Sequence, residues 1–137
     1  MAYWLFKEEP DHYSIDDLFR DKKTTWAGVE SNAALKHLRS VKKGDQVLYY
    51  HTGKEKSVVG LMEVIKGAYP DPERDEERLV VVDVKPLRRL DRPVSLAEIK
   101  ANPKFADFAL VRISRLSVMP VTDAQFAEIE RLSKKEA

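Results

Sequence analysis

A glycine inside an otherwise β-branched and apolar run, Gly60 within Ser57 to Lys66, limits what this chain can fold into more than any other residue. The run reads as a strand, and a glycine at its middle signals a bulge or a sharp bend of the kind used at barrel corners. Just before it, Gln46-Val47-Leu48-Tyr49-Tyr50-His51 is a second strand, rich in β-branched and aromatic residues and broken by Thr52-Gly53-Lys54-Glu55. So short a break makes the pair a hairpin. Hairpin-length connections between middle strands disfavour a doubly wound parallel sheet, whose strands need helical crossovers.

The remaining elements fit around that hairpin. Tyr3 to Lys7 is aromatic-rich and too short for a helix before Pro10, which predicts a strand with Lys7-Glu8-Glu9-Pro10 as an exposed rim. Ser14 caps a short helix through Phe19, with Asp17 at its third position. A helix from about Ser31 to Val41 carries Ala34, Leu35, Leu38 and Val41 on one face and ends at a glycine C-cap in Lys43-Gly44-Asp45. Ala68 to Glu77, with Tyr69-Pro70-Asp71-Pro72, reads as a surface loop unable to hold a ladder. Leu79 to Val84 is a strand continuing past Pro86 towards Leu90. Ser95-Leu96-Ala97-Glu98 opens a helix that Asn102-Pro103 ends, and Phe105 to Arg112 is ambiguous by period. Leu116 to Val121 is a closing edge strand, and Thr122 to Gln125 caps a last amphipathic helix through Leu132. A chain of 137 residues is near the modal size of one domain, so residues 1–137 are expected to form a single one. The expected class is α+β: a small, mostly antiparallel barrel or strongly curved sheet of about five to six strands with helices at its rim.

Candidate chemistry is sparse. Without cysteine there is no disulfide, thiolate nucleophile or Cys-based zinc site, and His12, His37 and His51 are not spaced as metal ligands. No dinucleotide, Walker or nucleophile-elbow pattern occurs, so neither a cofactor nor a catalytic set is expected. Short apolar runs fit neither a signal peptide nor a membrane span, which points to a cytoplasmic, nucleoid-associated or, in a eukaryote, nuclear protein. Lys+Arg number 24 against 23 Asp+Glu, so any surface for a polyanion must be local; Lys36, Arg39, Lys42 and Lys43 are its candidates. The macrodipole of the preceding helix would favour the same cations. The stretch most suggestive of a pocket is Trp26 to Leu35. It joins an aromatic plate to Gly28, which lets a flat ligand approach, and to Ser31 or Asn32 as a helix cap. The competing reading is a core tryptophan beside a turn glycine.

The ordered landmarks resemble a known family. Tyr3-Trp4-Leu5-Phe6-Lys7-Glu8-Glu9-Pro10, Tyr13 to Leu18 and Trp26-Ala27-Gly28-Val29 are similar to the opening of the EVE domain. Lys43-Gly44-Asp45, Leu48 to His51, Val59 to Val64, Ala68-Tyr69-Pro70-Asp71-Pro72, Val82 to Pro86, Arg92-Pro93-Val94, Leu110-Val111-Arg112 and Arg115 to Val121 follow in the same order. The resemblance implies a PUA-like barrel related to the YTH domains that read methylated adenine. It also implies a pocket for a flipped, modified base. Lys7, Trp26 and Asn32-Ala33-Ala34-Leu35 stand where YTH domains carry a strand-end lysine, a cage tryptophan and an Asn-x-x-Leu run. Where many EVE sequences read Gly-Val-Arg-Asn, this one reads Gly28-Val29-Glu30-Ser31. The implied partner is modified DNA or RNA of the 5-methylcytosine or N6-methyladenine type, read by a monomer that binds without catalysis. Candidate pocket residues are Trp26, Gly28, Val29, Lys7, Glu8, Glu9, Asn32 and His51. A nucleoside hydrolase of the related ASCH type and a protein-interaction module using the last helix are the alternatives.

Overall fold

The computed structural model describes residues 1–134. Its elements run β1 (Tyr3–Glu8), α1 (Ile15–Asp21), β2 (Thr24–Trp26), α2 (Asn32–Leu38), β3 (Gln46–His51), β4 (Ser57–Pro70) and β5 (Val80–Ser95). They continue through α3 (Leu96–Ala101), a 3-10 turn (Pro103–Phe105), α4 (Ala109–Arg112), β6 (Val118–Val121) and α5 (Asp123–Ser133). The strands form one six-stranded sheet in the order β2-β5-β4-β3-β1-β6. All neighbours are antiparallel except β1 and β3, which lie parallel with Phe6 opposite Tyr49 and Glu8 opposite His51. The class is therefore α+β, with a mixed, curved sheet, as the hairpin and glycine pattern indicated.

Curvature is visible in a single contact. Four strand spacings separate β2 from β1, roughly 19 Å in a flat sheet, yet the Trp26 and Phe6 rings lie 5.4 Å apart. The sheet curls until β2 faces β1 across its interior, although among the described residues no ladder joins β2 to β6. Gly60 sits in that bend: the register slips beside it on both sides, between Tyr49 and Tyr50 and between Val58 and Gly60. A Cβ there would lie 1.9 Å from Ile15 Cδ1, so the missing side chain lets the first turn of α1 rest on the bend.

Central strands are covered on both faces, which explains their unbroken apolar runs. Trp4, Leu5 and Phe6 are all buried, as are Val47 to Tyr50. Alternate residues of β1 meet different layers: Phe6 faces Trp26 in the interior, while Tyr3 stacks on Phe126 of α5 at 3.9 Å. On that outer layer Glu128 is buried, and Arg131, then Asn102, holds its carboxyl down at about 2. Serine and threonine caps open the helices as their spacing requires. Ser14, Ser95 and Thr122 each form a reciprocal capping box, with Asp17, Glu98 and Gln125.

Several boundaries depart from expectation, and β5 itself runs on past Leu90 to Ser95, paired with β4. The helix after Trp26 ends at Leu38, not Val41, because the N–H groups of Ser40 and Val41 donate three residues back and tighten the chain into a turn. Gly44 is accordingly not a helix cap; at φ +93° it forms the approach to β3, its N–H donating to the Val64 carbonyl at 2.8 Å. The expected loop from Ala68 begins only after Pro70, since Tyr69 and Pro70 pair with Val81 and Val80. Beyond Glu63 the pairing of β4 is to β5, so Pro70 can lie in the ladder with its nitrogen on the unpaired side. Finally, the ambiguous stretch resolves into the 3-10 turn and the short α4.

Candidate functional site

At the open end of the curled sheet, β1, β2 and the segment leading into α1 enclose a cavity of about 310 Å³. Trp26, Ala27 and Gly28 form one wall and Thr24 and Thr25 continue it; Glu8, His12 and Tyr13 stand opposite. Pairing of Thr24, Thr25 and Trp26 with Val84, Asp83 and Val82 fixes the direction of the first wall. Trp26 is only 5% exposed: its ring meets Tyr49 edge-on at 5.3 Å and Phe6 at 5.4 Å. It belongs to the core and presents only a margin of its indole to the cavity. Behind it, the Tyr49 hydroxyl donates to the Tyr13 carbonyl, and burial pushes that phenol strongly up. The opposite wall is thus tied to the sheet.

The polar edge belongs to Glu8 and His12. One Glu8 carboxylate oxygen accepts from the Glu9 N–H at 2.8 Å, and the other lies 3.0 Å from His12 Nδ1. The Tyr13 hydroxyl donates to Asp21 at 2.8 Å, and burial raises its pKa. Gly28 adopts φ +84°, a conformation that favours glycine, and the space where a side chain would stand is open. Such a cavity offers an aromatic margin, a carboxylate acceptor and small hydroxyls, a set suited to the edge of one heterocycle.

Other anticipated residues lie elsewhere. Val29 is buried. Asn32 is exposed at the start of α2, its Oδ1 accepting from Arg78 at 3.2 Å. Glu9 lines a separate groove with Thr52 to Glu55. His51 is 5% exposed; its Nε2 accepts from the Ile15 N–H at 3.1 Å, and its Nδ1 lies 3.0 Å from Glu55. Those two contacts make it an anchor for the start of α1. Lys7 points to the outer layer, where its ammonium donates to the Ser114 carbonyl at 2.8 Å and lies 5.7 Å over the Tyr50 ring. Lys36, Arg39, Lys42 and Lys43 are exposed, and Arg39 donates to the Arg78 carbonyl. Sequence reasoning missed His12, Tyr13, Thr24 and Thr25 as lining. The only available signal was that His12-Tyr13 follow Pro10 and precede the Ser14 cap, which makes them a turn able to fold over the end of β1. The N–H groups of both close that turn on the Glu9 carbonyl.

Among the described residues no His, Asp and Glu cluster is arranged to hold a metal ion, and no helix is long and apolar enough to cross a membrane. Comparison with known proteins places the arrangement. The human protein thymocyte nuclear protein 1 is 30% identical over 98% of this chain and 75% of its own length. Its structure in complex with 5-methylcytosine containing DNA superimposes with a TM-score of 0.92, covering all of both chains. The NMR structure of Rpa0253 from Rhodopseudomonas palustris is 39% identical, with a TM-score of 0.92 over 97% of this chain and 93% of that one. ASCH from Zymomonas mobilis, at 11% identity and a TM-score of 0.57 over 98% and 96% of the two chains, shares the fold alone. The EVE domain profile matches residues 2–132, and the chain belongs to the EVE domain family.

Proposed function

We propose that residues 1–137 act as one nucleic-acid-binding reader domain that holds a flipped, methylated base in the Trp26 cavity and does not transform it. The observation that carries this reading is a cavity with a tryptophan margin and a carboxylate edge, in a relative of the human protein whose structure contains 5-methylcytosine DNA. At about 310 Å³ it lies at the small end of ligand pockets, roughly 300–1,000 Å³. That is room for one base. Stacking on an aromatic plate contributes about 1–3 kcal/mol, whereas extrusion from a duplex costs a few. Because Trp26 offers only its margin, polar contacts must supply the rest. Glu8 can accept from the exocyclic amino group of cytosine or adenine, a donor that thymine and uracil lack. A buried methyl adds only about 0.8 kcal/mol, near a fourfold preference, so the amino contact should dominate discrimination.

The test titrates single- and double-stranded DNA and RNA that differ only in one 5-methylcytosine or N6-methyladenine, with product masses checked. The expected result is a several-fold preference for one modification without mass change, and a loss of about tenfold in Glu8→Ala. Modified strands that bind no better than plain ones would end the reading, and a new product mass would replace it with a hydrolase. The exposed cations Lys36, Arg39, Lys42 and Lys43 are proposed to follow the phosphates. Changing Lys42 and Lys43 to Ala should weaken modified and plain strands alike and lower the salt slope by about one to two units. An unchanged slope assigns these lysines to the turn alone.

A further inference from the structure

A second cavity, of about 300 Å³, lies on the other side of β1, between the outer face of the sheet and the helices α3 and α4. Lys7, Lys56 and Lys100 supply its charge, Leu96, Leu110 and Val111 much of its apolar lining, and no carboxylate contributes to it. We propose that this cavity is a binding site for a phosphate monoester carrying a small heterocyclic body, a nucleotide phosphate, distinct from the Trp26 cavity.

Two features are present before any ligand arrives, one holding the Lys7 ammonium and the other shaping the backbone at Lys56. Lys7 is held by its bond to the carbonyl of Ser114, an exposed residue that also lines the site. Lys56 is held in the left-handed region at φ +43°, where lysine is rarely found, while its carbonyl accepts from the Leu96 N–H at 2.8 Å. Among the described residues neither Lys56 nor Lys100 has a carboxylate within 4.0 Å. Glu55, beside Lys56 in the chain, is turned to His51 instead. Burial of Lys7 lowers its pKa, an unfavourable state that an anion in the cavity would relieve. A phosphate dianion needs more than one cation and is well matched by lysine ammonium groups acting as point charges. The apolar side chains suit the body of a nucleotide better than a bare inorganic ion. Lys7 and Glu8 are successive residues of one strand and face opposite sides, so the cationic site and the carboxylate-edged cavity lie back to back.

The probes are cytidine 5′-monophosphate, cytidine and inorganic phosphate, titrated against the full chain and a Lys56→Gln, Lys100→Gln double variant. Backbone amide shifts of Val111 and Ser114 report this cavity, and those of Trp26 and Gly28 report the other. Both altered lysines are exposed and outside the Trp26 cavity, so folding should be retained, and a melting curve checks it. The monophosphate should shift Val111 and Ser114, bind more tightly than cytidine or phosphate alone, and lose at least about tenfold in the double variant. Cytidine binding as well as its phosphate, shifts confined to Trp26 and Gly28, or indifference to the lysine changes would each overturn the site. An oligonucleotide with and without a 5′-phosphate identifies the source. A lysine-dependent gain from the end phosphate assigns the site to a strand terminus, and equal binding assigns it to a free nucleotide. Failure here leaves the base-reading proposal untouched, since none of these residues lines the Trp26 cavity.

Discussion

Trp26→Ala should lower the melting temperature by about 10–20 °C as well as abolish modified-base binding. A sequence-level view would treat this indole as a partly exposed pocket wall whose loss spares the fold. Its environment argues otherwise: the ring is 5% exposed and packs on both Phe6 and Tyr49. Truncating a large buried aromatic costs about 3–5 kcal/mol, and in a domain of this size each kcal/mol moves the midpoint by several degrees. Those contacts also bridge β2 to β1 and β3 across the curled sheet, so their loss removes side-chain contacts that hold the curl closed. Trp26→Phe keeps most of the packing and should cost far less stability while still reducing affinity, since the smaller ring withdraws from the cavity. Thermal melts and oligonucleotide titrations on both variants, with titration well below each midpoint, separate the two roles. A Trp26→Ala protein that melts within a few degrees of the parent would remove the indole from the core.

Asp45→Ala is expected to be comparably destructive, although Asp45 lines neither the Trp26 cavity nor the one beside Lys7. Its carboxylate is buried and accepts three hydrogen bonds, from the Ala2 N–H at 3.0 Å, the Trp4 Nε1 at 2.9 Å and the Lys42 N–H at 2.9 Å. One side chain therefore joins the start of β1, a buried indole and the turn after α2. Truncation leaves three donors without an acceptor, two of them on the main chain, at about 1–3 kcal/mol for each group that water does not reach. A loss of about 3 kcal/mol or more, read as a lower urea midpoint with unchanged slope, is the expected outcome. Asp45→Asn should recover part of the loss, because its amide oxygen can keep the bonds from Trp4 and Lys42 while its NH2 faces only the Ala2 N–H. Near-parent stability in both variants would mean that water replaces the carboxylate and that the turn does not depend on it.

These two residues mark where sequence reading stopped. Local chemistry determined the caps at Ser14, Ser95 and Thr122, because a side chain and a backbone N–H three residues later settle the matter between them. It determined the hairpin of β3 and β4, the bend at Gly60 and the edge position of β6, because turn length, a missing Cβ and strand composition act within a few residues. Alternation along β1 required Lys7 and Glu8 to face opposite ways. It could not say which of them would meet Trp26. That was decided by the parallel pairing of β1 with β3 and by the curl that carries β2 across the interior, contacts between residues far apart in the chain. For the same reason His12 and Tyr13 became lining, Lys7 joined Lys56 and Lys100, and Asp45 became a buried junction. Propensity and spacing describe a residue's neighbours along the chain, whereas a cavity is made of neighbours in space, and only the curled sheet brings those together.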